Sequence, residues 1–508
     1  MPALDTHTII AVIGAGAMGS GIAQVAAQAG HRVYLHDQRE GAAQNGREGI
    51  ARQLQRRVDK GKMQQQDLDA TIGRIQPVAR LDDVADAGLV IEAIIEDLDI
   101  KRQLLAILEE LCAGDTILAT NTSSISVTAL GAEMHKPERL VGMHFFNPAP
   151  LMALVEVVMG LATSKSVAGT VHATATAWGK KPVYATSTPG FIVNRVARPF
   201  YAESLRLLQE QATDSATLDA IIREAGQFRM GAFELTDLIG HDVNYAVTNS
   251  VFNSYYQDPR FQPSLIQKEL VEAGRLGRKN GQGFYAYGEG AEKPAPQTEP
   301  EPERQSDETV LIVEGNPGVA APLVQRLRAA GLTIIERDGP GQLRFGDAVL
   351  ALTDGRMATE RAATDGVSNL VLFDLAFDYS KASRLALAPA DQASDTAVSC
   401  ACALLQRAGV AVSLVADRPG LVIMRTVATL ANEAADAALH GVATVADIDL
   451  AMKAGLNYPD GPLSWSDRLG AGHVFNVLTN IQNSYAEDRY RPALLLRKNA
   501  FAQKGFYS

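Results

Sequence analysis

Two residues of this sequence, His144 and Glu156, have the types and the setting of an acid–base pair. His144 stands near the end of the apolar run VGMHFF, and the Asn147–Pro148 step after it signals a turn. Glu156 follows inside the β-branched run LVEVV, where an unpaired charge would be costly to bury, and a histidine would satisfy it. Histidine titrates near neutral pH, so such a pair could accept and release a proton while the carboxylate fixes the ring.

A glycine-rich loop near the N-terminus supplies a second chemical signal. The apolar run from Ile9 to Ile13 predicts a buried parallel strand, and GAGAMG follows it. The G-x-G-x-x-G spacing permits a tight turn, close approach of a pyrophosphate and close packing of the next helix, whose N-terminus offers N–H groups to phosphates. Asp37 ends the second predicted strand, where an acid binds ribose hydroxyls and favours NAD over NADP. The predicted loop contacts are Gly14, Gly16, Ala17, Met18 and Gly19.

Further polar residues are predicted at the same edge of the sheet. The run GLVIEAIIE predicts a strand that Glu96 ends, and the amphipathic helix after it carries Lys101 in its first turn. The run TILAT predicts another strand, and Asn121 and Ser123 leave its C-terminal end. Because ligands of open α/β sheets bind outside the carboxyl ends of the strands, we expect Glu96, Asn121 and Ser123 to face the glycine loop and the cofactor.

Five basic side chains lie close together in a polar, helix-prone segment: Arg52, Arg56, Arg57, Lys60 and Lys62. Such a run is typical of a solvated helical face. It fits a patch for a phosphorylated substrate equally well, since arginine and lysine pair strongly with phosphate. The segment alone leaves both interpretations open.

The composition is that of an ordinary globular chain, with 508 residues, 46% of them apolar and 21% charged. A net charge of −11 argues against general nucleic-acid binding. The three cysteines have no metal-ligand spacing, so we expect no metal site and a reducing compartment. No signal peptide or bilayer-spanning apolar run is visible, and we expect a cytoplasmic protein that binds no membrane.

Taken in order, six motifs resemble the L-3-hydroxyacyl-CoA dehydrogenase family: GAGAMGSGIA, EAIIEDLDIK, NTSSIS, GMHFFNPAPLMALVEVV, TPGFIVNR and GRKNGQGFY. They run from residue 14 to residue 285. The resemblance implies an α/β Rossmann domain that binds NAD, followed by an all-α domain similar to the C-terminal domain of 6-phosphogluconate dehydrogenase. It also implies an acyl-CoA partner and reversible oxidation of an (S)-3-hydroxyacyl-CoA to the 3-oxoacyl-CoA.

The resemblance assigns roles to residues at matching positions. His144 matches the general base that takes the 3-hydroxyl proton as hydride leaves C3, and Glu156 matches its orienting partner. Ser123 and Asn194 match polar residues that hold the substrate near the nicotinamide. The family's coenzyme A contacts fall on Arg56, Arg57 and Lys60, and its cofactor contacts fall on Glu96, Lys101, Asn147 and Lys279.

The second half of the chain repeats the first in a degraded form. RPGLVIMR, beginning at Arg418, parallels TPGFIVNR at an offset of 230 residues (418 − 188), and the final QKGFYS echoes GQGFYAY. Pro317 replaces a glycine of the loop, and proline lacks an N–H group. We therefore expect one NAD per chain and no catalysis in the second half. The positions of His144, Glu156 and Asn194 are taken there by Asp374, Ala386 and Met424.

These repeats predict five segments: an NAD-binding domain over 1–188, a helical domain over 189–287, a linker over 288–307, a degenerate Rossmann-like domain over 308–417 and a second helical copy over 418–508. A lone helical domain would expose an apolar pairing face, which soluble monomers rarely do. The tethered second copy is expected to cover that face and form an internal pseudo-dimer. Homo-oligomers through other faces stay open.

Two alternative functions stay open on sequence grounds. A dehydrogenase of a free hydroxy acid or sugar acid uses the same fold but needs no site for coenzyme A phosphates. A non-catalytic scaffold is disfavoured by the joint presence of His144, Glu156, Ser123 and Asn194. Longer members of the resembled family carry tandem helical domains and include a phenylacetate-pathway 3-hydroxyadipyl-CoA dehydrogenase. That resemblance implies a short-chain or dicarboxylic substrate such as 3-hydroxybutyryl-CoA or 3-hydroxyadipyl-CoA.

Overall fold

The computed structural model describes residues 1–301 and 308–508, which divide into two compact units. Unit 1 comprises Met1–Arg195 and His440–Leu456, and unit 2 comprises Val196–Leu439 and Asn457–Ser508. The linker predicted over 288–307 can be followed only to residue 301, because residues 302–307 lie outside the described residues.

Unit 1 is built on an eight-stranded sheet. Its strands are β1 (Ile10–Ile13), β2 (Val33–His36), β3 (Ile75–Val78), β4 (Leu89–Glu92), β5 (Ile117–Thr120), β6 (Leu140–Phe145), β7 (Leu154–Met159) and β8 (Lys181–Thr186). Its helices before the junction are α1 (Ala17–Gln28), α2 (Ala42–Asp59), α3 (Gln65–Arg74), α4 (Leu98–Leu111), α5 (Val127–Gly131) and α6 (Lys165–Ala177). Short 3-10 turns cover Leu81–Val84 and Pro137–Arg139, and α7 (Val193–Val196) lies at the junction of the units.

The strand order is β3-β2-β1-β4-β5-β6-β7-β8, and every neighbouring pair is parallel except β6 and β7. All four residues of β1 are buried, as expected for a strand covered by helices on both faces. The antiparallel pairing of β6 with β7 places His144 directly opposite Glu156. The sheet register therefore brings together two residues that are separated along the chain.

The strand predicted to end at Glu96 ends instead at Glu92, and this part of the prediction was wrong. Glu92 is fully buried, and its carboxylate accepts a hydrogen bond from the backbone N–H of Ile94 at 2.7 Å. Asp97 then caps α4 by accepting from the N–H of Ile100 at 3.0 Å. Glu96 lies in the turn between Glu92 and Asp97, outside the strand and at the edge of the sheet.

Unit 2 contains a second sheet and most of the helices. Its strands are β9 (Val310–Glu314), β10 (Thr333–Arg337), β11 (Gln342–Phe345), β12 (Ala348–Leu352), β13 (Leu370–Phe373), β14 (Arg384–Pro389) and β15 (Ala411–Leu414). The helices are α8 (Arg198–Gln209), α9 (Ser215–Glu224), α10 (Ala232–Ile239), α11 (His241–Ser254), α12 (Leu265–Glu272), α13 (Ala321–Ala329), α14 (Ala358–Asp365), α15 (Asp395–Arg407), α16 (Ile423–Leu439), α18 (Pro462–Leu469), α19 (Ala471–Tyr485) and α20 (Leu494–Ala502). Helix α17 (Val445–Leu456) belongs to unit 1. Further 3-10 turns cover Pro259–Phe261, Arg278–Asn280, Gly318–Ala320 and Asp488–Tyr490.

The second sheet has the order β10-β9-β11-β12-β13-β14-β15. Strand β11 runs antiparallel to both of its neighbours, β9 and β12. At this position, next to β9, the second sheet differs from the parallel sheet of a nucleotide-binding domain. The described part of the linker contacts β15, where the N–H of Glu299 donates to the carbonyl of Val412 at 2.8 Å.

Each sheet is packed against a helix from the helical copy that belongs to the other half of the chain. Helix α9 packs against β14 in unit 2, whereas its counterpart in the repeat, α17, packs against β7 and β8 in unit 1. Helices α8 and α16, one from each helical copy, pack against each other in unit 2. No helix among the described residues is both long and apolar enough to cross a membrane.

A buried acid holds the start of the helical copy in each unit. In unit 2, Asp374 accepts hydrogen bonds from the backbone N–H groups of Val422, Ile423 and Met424 at 3.0, 2.7 and 3.0 Å. Burial raises the pKa of Asp374 to about 6, although these N–H groups favour its charged form. Asp374 therefore fixes the N-terminus of α16 in the half that has lost the histidine.

The raised pKa of Asp374 predicts a pH dependence of stability. Between pH 3.8 and about 6 the folded chain keeps a proton that the unfolded chain has released. The free energy of unfolding should therefore fall as pH rises through this window, and this contribution should be missing in Asp374→Asn. Urea unfolding of both proteins at several pH values measures the difference in slope. Equal slopes across the window would contradict the assignment.

Candidate active site

The predicted contact between His144 and Glu156 is confirmed by the structure. The Nδ1 atom of His144 lies 2.6 Å from Oε2 of Glu156, and the two residues are 5% and 0% exposed. The imidazole packs against the ring of Phe146, with 4.5 Å between centroids, and against the edge of Phe191 at 5.9 Å. Apolar packing and one carboxylate together leave the ring little freedom to rotate.

The second oxygen of Glu156 is bound by the backbone. Oε1 accepts hydrogen bonds from the N–H groups of Ile192 and Val193, both at 3.0 Å. These donors favour a carboxylate over a carboxylic acid, and a carboxylate can only accept a hydrogen bond. Nδ1 of His144 is therefore the donor, so that Nε2 is the ring nitrogen that Glu156 leaves available for proton transfer.

Ser123 and Asn194 are brought together beside this pair. Ser123 lies just beyond the end of β5, and its backbone N–H donates to Oε1 of Glu96 at 2.9 Å. The side-chain amide of Asn194 donates to the carbonyl oxygen of Ser123 at 3.4 Å. Asn194 follows Val193, the residue that binds Glu156, so one short segment links the acid to the serine turn.

Glu96 is the centre of a polar network at the predicted edge of the sheet. Its Oε1 atom accepts from the hydroxyl of Thr122 at 2.7 Å and from the N–H and hydroxyl of Ser124 at 3.2 and 3.0 Å. Burial raises the pKa of Glu96, but the Thr122 bond and the charge of Lys101 outweigh it and leave the pKa below its usual range. The network thus keeps Glu96 charged and the serine turn ordered.

Lys101 is buried beside two acids, and its contact with a cofactor stays a prediction. Its side chain is 1% exposed, and its ammonium lies 2.6 Å from Glu92 and 3.3 Å from Glu96. Glu92 also accepts from the hydroxyl of Thr120 at 2.7 Å. Glu92 and Thr120 were not predicted from the sequence, although both are the last residues of apolar strands, where a polar residue signals the ligand-binding edge.

Two asparagines predicted to contact the cofactor have distinct settings. The side-chain oxygen of Asn121 accepts from the backbone N–H of Phe145 at 2.8 Å, which ties the end of β5 to the residue after His144. Asn147 is exposed at the end of the His144 strand, directly after Phe146. Both lie at the carboxyl edge of the sheet, and their contacts with a cofactor stay predictions.

The glycine loop is tightly packed at Gly14 and Gly19 and open at Gly16. A Cβ atom on Gly14, where φ is +103°, would lie 2.5 Å from the carbonyl oxygen of Ala93, and one on Gly19 would collide with the carbonyl oxygen of Gly14. A Cβ on Gly16 would meet nothing within 4 Å. Gly16 and Ala17 are exposed at the start of α1, so the backbone there is open to a pyrophosphate.

Asp37 lies beside the glycine loop, and its contact with the ribose of a cofactor stays a prediction. Its Oδ2 atom accepts from the backbone N–H of Ala15 at 2.8 Å, and the guanidinium of Arg39 donates to both of its oxygens, at 3.0 and 3.2 Å. The Arg39 hydrogen bonds lower the pKa of Asp37 to about 2. Asp37 is therefore a carboxylate over the physiological pH range, as the fit to ribose hydroxyls requires.

The basic residues predicted for coenzyme A lie on the surface of unit 1. Arg56 and Arg57 end α2, Lys60 follows it, and all three are exposed. Within residues 1–301 and 308–508, none of the three side chains forms an ion pair with an acidic side chain. Lys279 lies in unit 2, where its ammonium contacts the carboxylate of Asp242. The ligand contacts of these four residues stay predictions.

Comparison with known families covers both halves of the chain. Residues 9–188 match the model of the 3-hydroxyacyl-CoA dehydrogenase NAD binding domain. The model of the C-terminal domain of the same family matches twice, over residues 190–287 and 420–505, which agrees with the duplication predicted from sequence. Residues 350–419 match the reduced Rossmann-fold domain of 3-hydroxybutyryl-CoA dehydrogenase.

Individual relatives differ in how much of the chain they match. A 3-hydroxyadipyl-CoA dehydrogenase of Escherichia coli K12 is 44% identical over 98% of both chains. A 3-hydroxybutyryl-CoA dehydrogenase of Clostridioides difficile is 37% identical over 55% of this chain and 99% of its own. A crystal structure titled 3-hydroxybutyryl-CoA dehydrogenase from E. coli K12 superposes with a TM-score of 0.89, at 43% identity, over 98% of this chain and 99% of that one.

The match of the NAD binding domain, the two matches of the C-terminal domain and the superposition of the fold all indicate the same family. The alternatives of a free hydroxy-acid dehydrogenase and of a non-catalytic scaffold are both disfavoured by these matches. The chain belongs to the 3-hydroxyacyl-CoA dehydrogenase family, whose activity is an NAD-dependent oxidation.

Proposed function

We propose that the chain oxidises an (S)-3-hydroxyacyl-CoA to the 3-oxoacyl-CoA, reversibly, at one site in unit 1. The observation that carries the proposal is the 2.6 Å contact between Nδ1 of His144 and Glu156, which directs the other ring nitrogen away from the acid. We further propose that this reaction takes place in the cytoplasm.

In this mechanism His144 accepts the proton of the 3-hydroxyl group at Nε2. The ring becomes an imidazolium, which Glu156 stabilises with its negative charge, as the acid of a catalytic triad does. The N–H groups of Ile192 and Val193 hold the carboxylate in place throughout. Gly16 and the carboxylate of Asp37 would hold NAD, which when bound would supply the acceptor for the hydride from C3. In the reverse direction His144 returns the proton to the 3-oxo group.

Ser123 and Asn194 would hold the reacting alcohol against His144. The hydroxyl of Ser123 lies 3.4 Å from Glu96, a contact weak enough to be replaced by a hydrogen bond to the substrate oxygen. The side-chain amide of Asn194 lies 3.4 Å from the backbone carbonyl of Ser123, so the two residues are neighbours. Correct positioning of this kind supplies a large part of the rate enhancement. Arg56, Arg57 and Lys60 would bind the coenzyme A phosphates.

For the acyl group we propose a short or dicarboxylic chain, such as 3-hydroxybutyryl-CoA or 3-hydroxyadipyl-CoA. The support is the similarity over 98% of the chain both to a protein named for 3-hydroxyadipyl-CoA and to a crystal structure named for 3-hydroxybutyryl-CoA. Comparing kcat/KM for short, long and ω-carboxyl acyl-CoAs tests this choice. A preference for long unsubstituted chains would contradict it.

We also propose that the two helical copies form an internal pseudo-dimer. In unit 2, α8 of the first copy packs against α16 of the second, and Arg425 of α16, fully buried, lies 2.7 Å from Glu203 of α8. Trp465 of the second copy packs on Phe228 of the first, with 5.9 Å between ring centroids. These contacts cover an apolar surface that a single copy would leave exposed.

The assignment of the base predicts the kinetics of two variants. His144→Ala should lower kcat by about 10²–10⁴-fold and leave the Kd for NAD nearly unchanged, because the ring handles the proton and not the cofactor. Glu156→Gln should also be slow, since the imidazolium loses its counter-charge. Stopped-flow absorbance of NADH and calorimetric titration of NAD measure both quantities. Near-normal turnover by His144→Ala would refute the assignment.

The contact of Asp37 with Arg39 sharpens the prediction for the cofactor. Asp37→Ala removes the carboxylate that repels a 2′-phosphate and releases the Arg39 guanidinium, which can bind one. The ratio of kcat/KM for NAD to that for NADP should therefore fall or invert. Asp37→Ala with Arg39→Ala is the control, because it should lose NAD affinity without gaining NADP affinity. A wild-type protein that uses both cofactors equally would contradict the role of Asp37.

The pseudo-dimer predicts the behaviour of a fragment that ends at Gly290. This fragment lacks α16 and also α17, which covers β7 and β8, so it should dimerise or aggregate. The full chain should need no partner across that face and should bind one NAD. Analytical ultracentrifugation and calorimetric titration measure the two outcomes. A monomeric, fully active fragment, or two equivalent NAD sites in the full chain, would count against the proposal.

A further inference from the structure

The residues His440–Leu456, which we call the exchanged segment, belong by sequence to the second helical copy but fold within unit 1. They contain α17, which packs against β7 and β8. Strand β7 carries Glu156, so the exchanged segment lies directly behind the strand that holds the acid of the site. The degraded half of the chain thus contributes to the structure around a site whose reacting residues all come from the first half.

Gly455 of the exchanged segment is packed closely against residues around Glu156. A Cβ atom on this residue would lie 2.6 Å from Cδ2 of Leu154 and 3.4 Å from Cγ2 of Val193. Leu154 begins β7, two residues before Glu156, and the N–H of Val193 donates to the Glu156 carboxylate. Gly455 therefore lies against both parts of the structure that position this carboxylate, and a Cβ atom there would require the side chain of Leu154 to move.

The same arrangement recurs in unit 2 with the two copies interchanged. Helix α9 packs against β14, and a Cβ atom on Gly226, just after α9, would lie 2.9 Å from Cδ1 of Ile423. The N–H of Ile423 donates to the buried carboxylate of Asp374. In unit 1, Gly455 near the end of α17 thus lies against Val193, whose N–H binds Glu156. In unit 2, Gly226 just after α9 lies in the same way against Ile423, whose N–H binds Asp374.

The other end of the exchanged segment is also joined to the site. The N–H of Thr186, the last residue of β8, donates to the carbonyl of Val442 at 2.8 Å. A guanidinium nitrogen of Arg195 lies 3.4 Å from Nδ1 of His440. Arg195 follows Asn194, so the exchanged segment contacts the helix that carries this residue as well as the edge of the sheet.

We propose that the exchanged segment helps to position the active-site residues and that Gly455 is a positioning residue for the reaction. Gly455 allows α17 to press Val193 and Leu154 against Glu156, which sets the orientation of His144. The second copy thereby acts on catalysis without a reacting group of its own. The proposal rests on the role proposed above for His144 and Glu156.

The test is the substitution Gly455→Val in the full chain. The branched side chain should displace Val193 and Leu154, lower kcat on the order of 10–100-fold and shift the apparent pKa of the base in the pH profile of kcat. The Kd for NAD should stay unchanged, because the glycine loop is untouched. Adding Leu154→Ala makes room for the new side chain, and the double variant should regain most of the lost activity and the wild-type pH profile.

Gly472→Val is the matched control, since Gly472 is also in the second copy and a Cβ atom there meets nothing within 4 Å. The proposal is overturned if Gly455→Val has the kcat and pH profile of this control. It is equally overturned if activity falls with no shift of the profile and no rescue by Leu154→Ala. Should Gly455→Val fail to fold, Gly455→Ala is measured against Gly472→Ala by the same criteria. These results differ from those that would disprove the proposed function. In that case the wild type would not turn over, or His144→Ala would stay active.

Discussion

The structure of the active site depends on one buried carboxylate, that of Glu156. One oxygen binds His144 and the other binds two backbone N–H groups, so the acid joins β6, β7 and the start of the helical region at a single point. A buried carboxylate with fewer partners would be neutralised or would destabilise the fold. The interactions that make Glu156 tolerable in the core are therefore the same ones that orient the histidine.

The second half shows which part of this arrangement the fold itself requires. His144 and Glu156 are replaced by Asp374 and Ala386, yet Asp374 accepts N–H groups from Val422 and Ile423, the counterparts of Ile192 and Val193. The hydrogen bonds between a buried acid and the start of the helix have been kept. The acid now stands at the position of the histidine, on the neighbouring strand, and the histidine has been lost. Fixing the helix is thus separable from holding a histidine, and only in the first half does the buried acid do both.

Much of this could be predicted from sequence. The glycine loop, Asp37 and the His144–Glu156 contact follow from local patterns and from the cost of a buried charge. Glu92 was missed because the apolar run continues past it to Glu96, so the run alone does not show which of the two acids ends the strand. The place of α17 was not predictable, since repeats show which helices correspond but not which sheet each helix covers.

The most direct measurement of the central claim is the tautomer of the His144 ring, observed by ¹⁵N NMR in protein labelled at its nine histidines and assigned with His144→Gln. Because the Glu156 carboxylate accepts a hydrogen bond from Nδ1, the neutral ring should carry its hydrogen on Nδ1 and leave Nε2 as the basic nitrogen. On acidification the ¹⁵N shift of Nε2 should then move most. A neutral ring with its hydrogen on Nε2 would contradict the account, because the nitrogen proposed to take the substrate proton would already hold one.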